Sequence, residues 1–251
     1  MIHLKDLLNY SNKVLEIERF QDYCPNGLQV EGRSEVKKIV SGVTASQALI
    51  DAAIKEKADV LLVHHGYFWK GEEAQIIGLK YKRIRSLIES GINLLAYHLP
   101  LDAHPLYGNN AKLSEILDME IAGNFPAAKD AVGMYGRLKT PMSASDFGDK
   151  ISKVLVREAL HIGDNNQQIQ TVAWCSGAAQ NYLTDAVNLG VDAYLSGEIS
   201  EQTMHIANEC GVHYYAAGHH ATERYGVQAF GEHLASHFGI SHTFIDIPNP
   251  A

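Results

Sequence analysis

The spacing of apolar positions changes along this chain, and each change marks an element. Residues 3–20 place Leu4, Leu7, Leu8, Val14 and Leu15 at helical spacing, which predicts one or two amphipathic helices. Cys24-Pro25-Asn26-Gly27 reads as a turn, because Pro breaks a helix and Asn-Gly tolerates positive φ. A repeated pattern follows: a β-rich run, a small-residue turn, a helix, and a short apolar run that stops at polar residues. Lys38–Val43 predicts a strand and Ser46–Lys57 a helix. Asp59–Val63 is an apolar run of the kind buried on both faces of a parallel sheet, and it halts at His64. Residues 78–90 predict the next helix, and Gly91–Tyr97 the next buried strand, halting at His98.

The second half repeats this pattern. At an offset of 133, residues 45–65 overlay 178–198 without gaps, and Ala45, Gln47, Ala53, Asp59 and Leu62 meet identical residues. In that frame His65 falls opposite Glu198. A second overlay, at an offset of 120, sets Gly91 and Ala96 on Gly211 and Ala216 and brings His98 close to His219. A duplicated β-α-β unit is the reading that fits pattern, strand type and ligand position together. Between the halves, residues 123–168 differ: a short strand at Met134–Leu138, Pro141, then a helix that Ser145 is placed to cap, with Gly148 inside it. The expected fold is α/β, with two similar lobes, each a largely parallel sheet flanked by helices. The lobes are placed at 1–124 and 125–251 and are free to interlace.

Four clusters of candidate metal ligands stand where apolar runs stop. They are His64-His65, His98 with Asp102, Glu198, and His219-His220 with Glu223. Imidazole and carboxylate bind divalent metals, and ligands of open α/β sheets gather at strand carboxyl ends. The clusters are therefore expected to converge on one metal site between the lobes. His219 and Glu223 are four residues apart, on one face of any helix that begins after Gly218, and a carboxylate there can bridge two ions. A lone histidine at a strand end is more often a hydrogen-bonded core or loop residue; the combination of clusters is what makes the signal specific. His104, His205, His213 and His220 fit the ordinary reading.

Composition narrows the rest. With 46% hydrophobic and 20% charged residues, 251 residues can build a substantial core. There is no apolar run long enough to span a membrane, and Met1–Asp6 lacks the features of a signal peptide, so the cytoplasm is the expected compartment. Cys24, Cys175 and Cys210 form no Cys-x-x-Cys pair, which disfavours a disulfide framework or a thiolate zinc knuckle. A net charge of −8 argues against a general nucleic-acid binder. Lys80, Lys82, Arg83 and Arg85 read as a solvated helix face.

Five stretches carry a family resemblance: Asp22–Val30, Val63–Lys70, His98–His104, Ser196–Glu198 and Gly218–Glu223. In these motifs the chain resembles the GTP cyclohydrolase type 2-like, or NIF-three-like, family, in its compact bacterial YbgI-type form without a central insert. The resemblance implies a dinuclear site with His64, His65, Asp102, His219 and Glu223 as ligands, Glu223 bridging. It also implies a ring-shaped homo-hexamer whose sites face an internal cavity.

An imidazole- and oxygen-rich site suits iron, manganese, zinc or nickel, here two divalent ions per subunit. The leading expectation is metal-assisted hydrolysis of a nucleotide or a similar small anionic substrate, with His98 and Glu198 as proton shuttles or orienting groups. Tyr67, Phe68 and Trp69 either stack on a base, with Lys70 toward phosphate, or anchor the loop in the core. GTP ring opening remains an open alternative: no Gly-x-x-x-x-Gly-Lys-Ser/Thr phosphate loop is present, and no carboxylate is identifiable for the guanine edge. A different class of reading is a non-catalytic metal reservoir, delivery protein or metal-dependent regulatory scaffold. A DNA-associated role of the ring is the weakest.

Overall fold

The computed structural model describes residues 1–251. The chain forms two compact units, Met1–Leu101 with Gly226–Pro248, and Asp102–Tyr225 with Asn249–Ala251. Residues 102–124 belong to the second unit and 226–248 to the first.

The first unit opens with β1 (Ile2–His3), α1 (Leu4–Val14), β2 (Gly27–Val30), β3 (Glu35–Val36), β4 (Lys38–Thr44) and α2 (Gln47–Lys55). It continues with β5 (Val60–His65), α3 (Gly78–Ser90) and β6 (Asn93–Ala96). The Ser46 hydroxyl caps α2 by accepting from Leu49 N–H at 3.3 Å. Gly91 ends α3 in the left-handed region, at φ 63°, where a glycine avoids the Cβ penalty.

After α4 (Leu99–Ala103), which carries the crossing between units, come α5 (Asn109–Ile116), β7 (Met119–Phe125), β8 (Gly133–Ser143), α6 (Ala144–Leu155), β9 (Leu160–Ile162) and β10 (Gln168–Cys175). Then follow α7 (Leu183–Leu189), β11 (Ala193–Ser196), α8 (Glu201–Cys210), β12 (His213–Ala216) and α9 (His219–Phe238), within which the chain returns to the first unit. β13 (Ser241–Phe244) completes the chain's elements.

The sheet of the first unit has the order β13-β4-β5-β6-β2. Its first four strands are parallel and β2 is an antiparallel edge. Val40, Leu61, Val63 and Leu94 pack on Leu49, Ile50 and Ala53 of α2 and on Ile84 and Leu87 of α3. Each buried side chain of this size contributes about 1.5–3 kcal/mol.

The sheet of the second unit has the order β7-β8-β10-β11-β12-β9. Only β10, β11 and β12 are parallel, while β7, β8 and β9 pair antiparallel. The expectation of a largely parallel sheet therefore holds for the first unit and is corrected to a mixed sheet in the second. The short link from β7 to β8 explains this, since antiparallel neighbours need no helical crossover. Trp174, Phe147 and Tyr215 fill the core of this unit, with the Trp174 indole N–H donating to Asn110 O at 2.9 Å. The cap of α6 is Ser143, accepting from Asp146 N–H, rather than Ser145. β8 runs on to Ser143, beyond the Leu138 end expected for it, because Pro141 lies within the register shift between Arg137 and Met142, where no ladder N–H is required of it.

One detail recurs in both units. Asp59 Oδ2, at the foot of β5, accepts from Lys37 N–H (2.8 Å) and Lys38 N–H (3.0 Å). Asp192 Oδ2, at the foot of β11, accepts from Gln170 N–H (3.0 Å) and Thr171 N–H (2.8 Å). Gly211 closes α8 at φ 66° as Gly91 closes α3.

Candidate metal centre

In each unit the candidate ligands stand at the carboxyl ends of two adjacent parallel strands. In the first, His64 and His65 end β5 and His98 lies two residues beyond β6. In the second, Glu198 lies two residues beyond β11 and His219 three beyond β12. Strand geometry alone brings such positions to one edge of a sheet.

In the first unit, His64, His65 and His98 bring ligand nitrogens within 4.8 Å of one another. His64 is fully buried, and its Nδ1 lies 2.9 Å from Tyr97 O. A carbonyl oxygen only accepts, so Nδ1 carries the proton and Nε2 is the atom that could bind a metal. His65 Nδ1 is 3.2 Å from Thr44 Oγ1. His98 Nδ1 is 2.7 Å from Asp22 Oδ1, and Asp22 also accepts from Tyr23 N–H, Asn26 Nδ2 and Leu99 N–H. Burial opposes charge on Asp22, but the His98 hydrogen bond and charge, then the Asn26 and Tyr23 bonds, outweigh it and hold its pKa below the ordinary value. Sequence reasoning gave Asp22 no role of its own, although it opens the Asp22–Val30 stretch that carries the family resemblance.

Cys24 stands beside Asp22 and His98. Burial first, and the Asp22 charge second, push its thiol up to about 12. A protonated thiol is a poor metal ligand and a poor nucleophile. Cys210 is the exposed cysteine, while Cys24 and Cys175 are buried. Iodoacetamide at pH 8 is therefore expected to modify Cys210 alone in the folded chain, as read by intact mass; rapid labelling of Cys24 would contradict this.

In the second unit, His219 and Glu223 share one face of α9, with Nε2 and Oε2 3.2 Å apart. Metal bonds of about 2.0–2.2 Å put neighbouring ligand atoms at roughly this spacing. Glu198 Oε1 holds His219 Nδ1 at 2.7 Å. Asp102 is buried, and its Oδ1 accepts from Asn109 Nδ2 (2.8 Å) and Ser176 Oγ (3.0 Å). Gly177, next to Ser176, has φ +65°, and a Cβ there would stand 2.2 Å from Glu223 Oε1. Its N–H donates to Thr222 Oγ1 at 3.0 Å. Gly177 thus makes room for the carboxylate, a role absent from the motifs read in sequence.

The residues fit a divalent-metal centre. Three imidazoles have their protonated Nδ1 fixed by a carbonyl or carboxylate, the usual support for histidine ligands, and one carboxylate is seated on a glycine. The other histidines fall elsewhere: His104 accepts at Nδ1 from Leu106 and Tyr107 N–H, His205 pairs with Glu201, and His213 with His161. Of the aromatics, Tyr67 is buried with its hydroxyl donating to Ala45 O. Phe68 lies under Lys80 Nζ at 4.9 Å. Trp69 alone of the three stands beside His65 and His98. In the basic run, Lys80 pairs with Glu72 and Arg85 with Glu89.

Burial alone would lower the His219 pKa, but Glu223 and then Glu198 raise it to about 9. In the metal-free protein this raised value contributes stability that is full below the ordinary imidazole value of 6.5 and lost as pH rises through about 9. Metal must displace that proton. Binding of Zn²⁺ to chelator-treated protein at pH 7 is expected to release a proton and to tighten up to about pH 9. Calorimetry in two buffers of different ionisation enthalpy measures this, and pH-independent affinity would contradict it. Glu198→Gln is expected to lower both the His219 pKa, by NMR titration, and metal affinity, the latter by about 10–100-fold.

Fold and side chains together define an α/β protein whose two larger sheets are flanked by helices, with groups of histidine and carboxylate suited to holding metal. The chain belongs to the Duf34/NIF3 (NGG1p interacting factor 3) family, whose sequence profile matches residues 2–250. It is 53% identical to a Pseudomonas aeruginosa protein named GTP cyclohydrolase 1 type 2 homolog, over all of this chain and 99% of the relative. It resembles the solved structure of protein ybgI, whose function is given as unknown, with a TM-score of 0.96 and 47% identity over the full length of both chains. The Thermus thermophilus protein TTHA1606 matches with a TM-score of 0.89 and 33% identity, again over both full lengths. No helix is long and apolar enough to cross a membrane.

Proposed function

We propose that His64, His65, Asp102, His219 and Glu223 hold two divalent ions, Glu223 bridging, and that the protein is a metal-dependent hydrolase of a nucleotide or similar small anionic substrate. The observation that carries this reading is the anchoring of histidine Nδ1 atoms by Tyr97 O, Asp22 and Glu198, which commits each Nε2 to the site. When bound, two such ions supply Lewis acidity toward a water and toward an anionic oxygen.

The protein's own groups do the rest. Asp22 fixes the His98 tautomer and leaves Nε2 to accept or return a proton. Glu198 orients His219. The buried Asp102 carboxylate is held in one rotamer by Asn109 and Ser176, so little reorganisation is needed on binding. The recurrent Asp59 and Asp192 bonds support an origin of the two units by duplication. A ring-shaped homo-hexamer belongs to the proposal and is tested by light scattering.

The test uses the full chain loaded in turn with Fe²⁺, Mn²⁺, Zn²⁺ or Ni²⁺ and a nucleotide panel that includes GTP, with phosphate and formate release both measured. Metal-dependent turnover is expected. Equal turnover by wild type and Glu223→Gln would sink the mechanism and favour a metal-holding role without catalysis.

A further inference from the structure

Tyr23 is 61% exposed although it is large and mostly apolar. Its ring centroid lies 6.3 Å from that of His98, at an interplanar angle of 62°. The half-buried Trp69 stands 5.0 Å from His98 at 85° and 5.9 Å from His65. Two aromatic side chains on separate loops therefore flank one imidazole at the carboxyl edge of the first unit's sheet.

The two loops and the Trp69 ring are held in place. Lys70 N–H donates to Tyr23 O at 2.6 Å, which ties the two loops together. Tyr23 N–H donates to Asp22 Oδ1, the oxygen that also fixes His98. The Trp69 indole N–H donates to Gly66 O at 3.2 Å, and its backbone N–H to Glu72 Oε2 at 3.0 Å. Tyr67 and Phe68, by contrast, are used inside the fold. The same loop thus divides its aromatics between anchoring and the site. Lys70, the next residue in the chain, is exposed and carries a positive charge.

We propose that Tyr23 and Trp69 form a stacking surface for a planar heteroaromatic ring, such as a purine base, on an anionic ligand whose charged group meets Lys70. This rests on the hydrolase reading and narrows it to substrates that carry a flat ring. Aromatic side chains bind bases through their faces with little dependence on which base is present. The pair therefore separates nucleotides from sugar phosphates without choosing among purines. The loop backbones and the Trp69 indole are held before binding, which limits the conformational entropy lost when a ligand docks.

Fluorescence tests this directly. The chain has two tryptophans, and Trp174 is fully buried, so a stacked ligand reports through Trp69. The full-length protein is titrated with GMP, AMP and ribose 5-phosphate, both metal-loaded and after chelation. Saturable quenching by GMP and AMP and none by ribose 5-phosphate is expected. Trp69→Phe should abolish the quench, and Tyr23→Ala should weaken GMP binding by about tenfold or more in calorimetry, with an unchanged circular dichroism spectrum. Saturable quenching by GMP in a metal-loaded wild type that hydrolyses neither nucleotide would count against the catalytic reading alone and leave the stacking surface standing. The proposal is overturned if ribose 5-phosphate binds as GMP does, if Tyr23→Ala binds GMP with wild-type affinity, or if neither nucleotide quenches at millimolar concentration.

Discussion

Glu223→Gln is expected to cost metal affinity by more than about 100-fold, the upper end of what losing a merely supporting partner costs. Three features make this the most sensitive side chain. Glu223 is 3% exposed, it stands 3.2 Å from His219 Nε2, and it is the carboxylate assigned to both ions. Glutamine keeps the shape and removes the charge. The His219 pKa should fall as well, since Glu223 is the stronger of the two carboxylates that raise it. Stability below about pH 9 would drop with it, because a raised imidazole pKa is stabilising only while the ring is protonated. Metal analysis and thermal denaturation of the metal-free protein at pH 6 and pH 10 separate the two effects. An unchanged metal content would show that Glu223 is not a ligand.

Gly177→Ala is the second large effect, and it arises without replacing any candidate ligand. An alanine at φ +65° incurs about 1–2 kcal/mol of backbone strain. The new Cβ would also stand 2.2 Å from Glu223 Oε1, so the carboxylate must leave its place. Metal affinity should fall by about tenfold or more, as for other groups that position ligands, and the melting temperature by about 2–8 °C. Gly190 supplies the control: it has φ +72° and nothing within 4 Å of an added Cβ. Gly190→Ala should show the strain and keep its metal. Equal metal affinity in both variants and wild type would remove Gly177 from the site.

What the sequence made legible follows from how each signal is encoded. The parallel strands β5 and β6 were visible because both faces are buried, so their residues are almost all apolar. The helix over 78–90 agrees with α3 to the residue, since Gly91 stops it chemically as well as by pattern. β7 was not read: it is an edge strand whose middle residues are mostly exposed, so it shows neither alternation nor an apolar run. The crossings between units were hidden because they fall inside α4 and α9, where no Pro- or Gly-rich linker marks a change. Among site residues, the histidines and acids stood out by type and position. Asp22 and Gly177 did not, because their contribution depends on side chains distant in sequence: Asp22 reaches His98 across 76 residues, and Gly177 accommodates Glu223.

The most direct measurement is an anomalous-scattering map from crystals of protein purified without added metal. Two peaks per chain are expected, with Nε2 of His64, His65 and His219 and the carboxylates of Asp102 and Glu223 as ligands. A map without metal at these residues, or with metal held by a cysteine sulfur, would contradict the assignment of the centre.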